Sequence, residues 1–150
     1  MNVTFTLNGR LRNVNIEPGD YLVDTLRQLG LRSVRRGCDS SSCGVCTILV
    51  DNKPVPSCTT LTARMDNKTV TTVEGIPKEA SLLADEFGKQ GADQCGFCNP
   101  GIALSAYALK LNHPNADETM IRHFMVGHLC RCTGYVSQTT ALKAYLEGKR

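Results

Sequence analysis

No stretch of the chain stays apolar for the roughly 18 residues that a membrane-spanning helix needs, so no such helix is expected. The opening residues, Met1-Asn2-Val3-Thr4-Phe5-Thr6-Leu7, alternate polar and apolar and carry neither a basic n-region nor an apolar h-region. A signal peptide is therefore not expected, and a cytoplasmic location is. Charge of one sign is also scarce. Seventeen Lys and Arg against fourteen Asp and Glu leave a formal +3, too small and too scattered along the chain to argue for nucleic acid. Internal repeats and low-complexity tracts are absent, as are a Ser/His/Asp set, a nucleotide fingerprint and a P-loop, so no substrate site is expected on this chain. The three histidines show no ligand pairing. His113, before Pro114, reads as a loop residue, His123 as a helix-surface residue, and His128 as a hydrogen-bonding candidate near the later cysteines.

What the chain does have is eight cysteines in two sets of four, with none left over. Cys38, Cys43, Cys46 and Cys58 follow C-x4-C-x2-C-x11-C, the plant-type [2Fe-2S] ferredoxin pattern. Cys95, Cys98, Cys130 and Cys132 form a C-x2-C and a distant C-x-C that a helical hairpin can fold onto one metal centre. Spacing favours iron-sulfur over zinc at the first set and leaves the two open at the second. In a reducing compartment disulfides are the weakest reading.

The 150 residues suffice for one ordinary domain or two small ones, and 41% apolar composition supports globular folding. Val3, Phe5 and Leu7, the Asn8-Gly9 turn, then Val14 and Ile16 predict a β-hairpin. Asp20 is expected to cap a helix with Leu22, Leu26 and Leu29 on one face, closed by Gly30. Strands are expected at 47–50 and 70–73, with residues 51–54 as a turn between them. At 74–79 the β pattern gives way to helical pattern through Gly75 and Pro77, which places a boundary between domains 1–75 and 76–150. The second half reads as four helices. Ser81 is expected to cap the first, which carries Leu82, Leu83 and Phe87. Residues 102–111 form a nearly all-apolar central helix, Asp117 caps the next, and Leu142, Tyr145 and Leu146 mark the last. Met120 and Met125 read as bundle core.

An anionic cluster needs backbone N–H donors close by. Gly37 and Gly44 beside the first thiols remove Cβ atoms that would obstruct that approach. Arg35 and Arg36 either ease the addition of an electron or stand as a solvated pair, and Ser40, Ser41 and Ser42 either donate to sulfur or face water. Arg131, between two thiols, either offsets cluster charge or points to solvent.

Three motifs carry a resemblance: Gly37-Cys38 through Cys43-Gly44-Val45-Cys46-Thr47, Gln94-Cys95-Gly96-Phe97-Cys98-Asn99-Pro100-Gly101, and Leu129-Cys130-Arg131-Cys132-Thr133-Gly134-Tyr135. Over nearly its whole length the chain resembles the iron-sulfur subunit of the molybdenum hydroxylases, of xanthine dehydrogenase, aldehyde oxidoreductase and carbon monoxide dehydrogenase type. The resemblance implies an α+β chain in two parts, an N-terminal β-grasp ferredoxin-like [2Fe-2S] domain and a C-terminal four-helix-bundle [2Fe-2S] domain. It also implies a large molybdopterin-binding subunit and an FAD-binding subunit as partners, in a heterotrimer or a dimer of heterotrimers. Cys95, Cys98, Cys130 and Cys132 would then hold the cluster nearer molybdenum, and Cys38, Cys43, Cys46 and Cys58 the one nearer flavin. Gln94 and the region of Cys132 would face the pterin, with Arg131 as a further residue to reach it. Asn99 stands where the family often has Thr, His128 where Asn is frequent, and Ser40 to Ser42 where Gly and Glu are common. None of these removes a ligand, and the substrate stays undetermined. A freestanding two-cluster electron carrier and a zinc-stapled interaction module are the alternatives. A carrier would be polar over its whole surface.

Overall fold

The computed structural model describes residues 1–148. The first half is a five-stranded sheet with one helix packed on it: β1 (Asn2–Leu7), β2 (Arg10–Asn15), α1 (Leu22–Gln28), β3 (Thr47–Val50), β4 (Lys53–Pro56) and β5 (Thr69–Thr71). The spatial order is β2-β1-β5-β3-β4, with β1 and β5 parallel and the other neighbours antiparallel. Asn8 and Gly9, at φ of 50° and 78°, make the tight turn of the first hairpin. Val3, Phe5 and Leu7 face inward against Leu22, Val23 and Leu26 of α1 and against Ile48 and Val70, giving this half its own core.

Three local expectations differ here. Asp20 does not cap α1. Its carboxylate accepts from the Glu17 N–H at 2.9 Å, and the first helical N–H, that of Leu22, goes to the Thr60 carbonyl. Leu29 lies past the end of the helix and is exposed. The turn after β3 is only Asp51 and Asn52, both at positive φ, so Lys53–Pro56 pairs with β3 as an edge strand. Pro54 and Pro56 disguise that strand in the sequence, and an edge is where a sheet tolerates them.

The second half is four helices: α2 (Pro77–Lys89), α3 (Asn99–Asn112), α4 (Glu118–Met125) and α5 (Val136–Glu147). Pro77, preset for a first helical turn, starts α2, so Ser81 lies inside the helix instead of capping it. Leu83 and Phe87 are buried while Leu82 is exposed. Asp117 caps α4 as expected, accepting from Met120 N–H at 2.8 Å. Met125 packs on the edge of the bundle core, but Met120 is exposed.

The apolar character of α3 follows from its position between both halves. Ile102, Ala106 and Leu109 pack into the helical core with Leu83, Phe87, Ile121 and Leu142. Leu104 and Ala108 pack with Leu49 of β3 and with Ile76. Burying a leucine contributes about 1.5–3 kcal/mol, so Leu49 against Leu104 is a substantial joint between sheet and bundle. A polar joint lies beyond it. Glu79 on α2 accepts from Lys110 on α3 at 2.9 Å and from the Tyr145 hydroxyl on α5, tying three helices together.

Candidate metal centres

The first four thiols lie on the loop after α1 and on the short turn after β4. Cys43 and Cys46 are buried, and Cys38 and Cys58 are half-buried. Ser57 ties the turn that carries Cys58 to the loop, its hydroxyl donating to the Cys46 carbonyl at 2.7 Å. The thiols interact in pairs, Cys38 with Cys43 and Cys46 with Cys58. The contact with Cys43 and nearby backbone N–H groups bring Cys38 down to about 6, while burial pushes Cys43 and Cys46 up. The Ser41 hydroxyl accepts from the Cys58 thiol at 3.8 Å, while the Ser40 and Ser42 hydroxyls bond to each other and their backbone N–H groups face the Cys38 sulfur.

The second four occupy the turns between α2 and α3 and between α4 and α5. Cys98 is buried, Cys130 half-buried, and Cys95 and Cys132 exposed. Again they pair, Cys98 with Cys130 and Cys95 with Cys132. Burial pushes Cys98 up to about 11. Burial would also raise Cys130, but the Thr133 hydroxyl at 3.1 Å and the N–H groups of Cys132 and Thr133 outweigh it and bring the thiol down. Gln138, buried on α5, donates to the Cys98 sulfur at 3.5 Å, and the Tyr135 hydroxyl accepts from the Cys130 N–H at 2.9 Å. The sequence reading missed Gln138, which nothing in the local pattern sets apart, and gave Tyr135 no role beyond closing the Leu129–Tyr135 motif. Gln94 is exposed, its amide bonded to the Gly91 carbonyl at 3.1 Å, and it lies beside the Cys95/Cys132 pair. Arg131 is exposed.

The loops that carry the two thiol sets border one another. A cavity of about 390 Å³ is lined by Cys95, Cys98, Cys130 and Cys132 and, from the first loop, by Gly37, Cys43 and Val45. Leu129 N–H, one residue before Cys130, donates to the Cys43 carbonyl at 2.9 Å. Arg35 reaches across in the other direction, donating to Gly96 O at 2.6 Å with its guanidinium 5.2 Å from the Phe97 ring. Arg36 instead pairs with Asp24 at the surface. Arg27, Arg32, Arg35 and Arg36 line one basic cavity, so these charges are less scattered in space than along the chain.

At Gly37 a Cβ would stand 3.2 Å from both the Cys43 sulfur and the Phe97 ring, so its absence leaves room beside a thiol. Gly44 serves a different purpose. At φ +69° its missing Cβ leaves room for the Gly127 carbonyl oxygen, which would otherwise be 2.1 Å away, so the close approach is between the two halves. His128 differs too, packing against Gly44 of the first loop and against Ser105 on α3.

Among the described residues all eight thiols are free, and no three or more His, Cys, Asp or Glu side chains converge as a cage for a single ion. Two thiol pairs per set suit a different group. Each iron of a [2Fe-2S] unit takes two ligands, so the four-thiol donor set in pairs fits that unit.

Two family models match the chain: "2Fe-2S iron-sulfur cluster binding domain" over residues 5–72 and "[2Fe-2S] binding domain" over residues 72–143. The nicotinate dehydrogenase small FeS subunit of Eubacterium barkeri is 39% identical, across 97% of this chain and 94% of its own length. The xanthine dehydrogenase iron-sulfur-binding subunit of Escherichia coli O157:H7 is 40% identical over 87% of this chain and 84% of its own. Among solved structures, a chain of quinoline 2-oxidoreductase from Pseudomonas putida 86 superposes with a TM-score of 0.88 at 35% identity, covering 100% of this chain and 98% of that one. Aldehyde oxidoreductase from Desulfovibrio gigas superposes with a TM-score of 0.91 at 33% identity, covering 97% of this chain but 17% of that longer one. The chain belongs to the molybdenum hydroxylase family, as the small electron-transfer subunit that carries two [2Fe-2S]-binding domains in a multi-subunit complex.

Proposed function

We propose that Cys38, Cys43, Cys46 and Cys58 hold one [2Fe-2S] cluster and Cys95, Cys98, Cys130 and Cys132 the other. The pairs Cys38/Cys43, Cys46/Cys58, Cys98/Cys130 and Cys95/Cys132 would each serve one iron. When bound, the clusters supply one-electron carriers between a molybdenum centre on a large molybdopterin-binding subunit and FAD on a further subunit. This chain's residues do the positioning. Gln138 and Thr133 direct hydrogen bonds at the inner thiols of the second set, and Ser57 fixes the spacing within the first. The observation that carries the reading is the backbone link from Leu129, beside Cys130, to Cys43, which joins the two ligand loops directly.

The direction of assembly rests on exposure. Val126, Leu129, Tyr135 and Val136, at 75%, 53%, 40% and 69% exposed, surround the Cys130/Cys132 turn with apolar surface. A freestanding carrier would present polar side chains there, so this face favours a fixed partner, with exposed Cys132 and Gln94 toward the molybdopterin subunit. The domain boundary is placed after Gly75, a heterotrimer or its dimer is the proposed assembly, and eight free thiols favour a reducing, cytoplasmic setting. Among the described residues no helix is long and apolar enough to cross a membrane.

Anaerobic affinity purification from the native cell tests the reading. The expected result is a larger co-purifying chain, molybdenum, and about four irons per copy of this protein. Four irons with no partner would mean a freestanding carrier, and zinc without iron would end the electron-transfer reading.

A further inference from the structure

Three backbone segments converge where the two halves touch, and glycines allow them to approach. Gly44 on the first loop faces Gly127, and Gly101 on α3 lies against the Gly44 and Val45 carbonyls, where a Cβ would be 2.8 and 3.2 Å from their oxygens. His128 supplies a side chain to this junction. It is 6% exposed, and its Nε2 lies 2.7 Å from the Ser105 hydroxyl on α3. Its Nδ1 is buried and turned to the Gly44 backbone, in a polar contact short of ideal hydrogen-bond geometry. Burial holds the ring well down, at about 4, so it is neutral at pH 7. The next residue, Leu129, makes the link to Cys43.

We propose that His128 is a positioning residue for electron transfer between the two thiol sets: tethered to Ser105, its ring wedges residues 127–130 against Gly44 and so keeps the Leu129 N–H on the Cys43 carbonyl. The inference rests on the two-cluster reading and adds a residue that binds no iron. A buried histidine is a costly choice for packing alone, because both ring nitrogens lose water and each must be turned to a partner, here the Ser105 hydroxyl and the Gly44 backbone. Its position accounts for that choice. The ring spans from α3 to the loop of the first set, and the backbone that follows it leads directly to Cys130.

The test uses the assembled complex carrying His128→Ala or, separately, Ser105→Ala, which keeps the ring but removes its tether. Iron content, the electron paramagnetic resonance signal and potential of each cluster, their mutual magnetic splitting, and the rate of inter-cluster transfer after rapid reduction are measured. The expected result is full iron and unchanged individual signals, with weakened splitting. Transfer slows by about tenfold or more, the scale on which small misplacements between reacting groups cost rate. If His128→Ala loses iron, the same comparison is read from Ser105→Ala alone. Wild-type splitting and transfer rate in an iron-replete variant would overturn the role of His128. Failure to find two clusters in the unmodified complex would instead overturn the reading beneath it.

Discussion

Replacing Gly44 by alanine tests the joint between the two halves. The residue sits at φ +69°, and a Cβ there would stand 2.1 Å from the Gly127 carbonyl oxygen and 3.0 Å from His128 Nδ1. Holding an L-residue in the left-handed conformation costs about 1–2 kcal/mol. Forcing extra volume into a tight contact adds about 1–3 kcal/mol, and here the obstacle is backbone that cannot swing aside. Gly44→Ala is therefore expected to lose about 2–5 kcal/mol. Gly91→Ala is the control. Gly91 has the same handedness, φ +63°, but nothing lies within 4 Å of its added Cβ, so only the conformational part applies. For a chain of this size each kcal/mol moves Tm by about 2–4 °C, which sets Gly44→Ala roughly 2–12 °C below Gly91→Ala. Thermal unfolding followed by circular dichroism at matched iron content measures the difference, and hydrogen exchange at Leu129 N–H reports whether the halves have parted. Equal Tm values for the two variants would refute the close-approach argument.

Glu79 predicts an acid sensitivity. Burial alone would raise its carboxyl, but the Tyr145 hydroxyl and Lys110 hold it below the usual range. A carboxylate depressed in the folded state stabilises fully above the unfolded value of about 4.3, and that stabilisation fades as pH falls through the folded value. Urea unfolding between pH 7 and 3 should show this slope reduced in Glu79→Gln, with about 1.5–3 kcal/mol lost at pH 7. An unchanged slope would place the acid sensitivity elsewhere. Arg35→Ala, which removes a charged hydrogen bond between the halves, is expected to cost about 1.5–3 kcal/mol, whereas Arg36→Ala, which breaks an exposed pair, costs under about 1 kcal/mol. Chemical denaturation ranks the two, and the reverse order would contradict the assignment. Cys98→Ser should remove the second cluster's absorption and paramagnetic signal while leaving the first intact.

The parts of the molecule governed by local chemistry were legible in the sequence. Asn8-Gly9 specified a two-residue turn and Asp117 a helix cap. Parts governed by distant neighbours were misread. Asp20 and Ser81 are cap-type residues, but one closes a turn with Glu17 and the other lies inside a helix that Pro77 starts earlier. The edge strand 53–56 was hidden by its prolines, whose tolerance depends on having no outer neighbour. The joint between halves was least visible. Gly44 was read as making room for a cluster, yet the space is filled by Gly127, more than eighty residues away in sequence. Arg35, His128 and Gln138 owe their placement to the same long-range packing, which no periodicity encodes.

The central claim is that this chain carries two separate [2Fe-2S] centres, one on each thiol set. Electron paramagnetic resonance of the anaerobically purified, fully reduced complex, with iron counted on the same sample, tests it most directly. The account predicts about four irons per chain and two distinct signals, one of which Cys98→Ser abolishes without touching the other. A single signal, or zinc in place of iron, would contradict it.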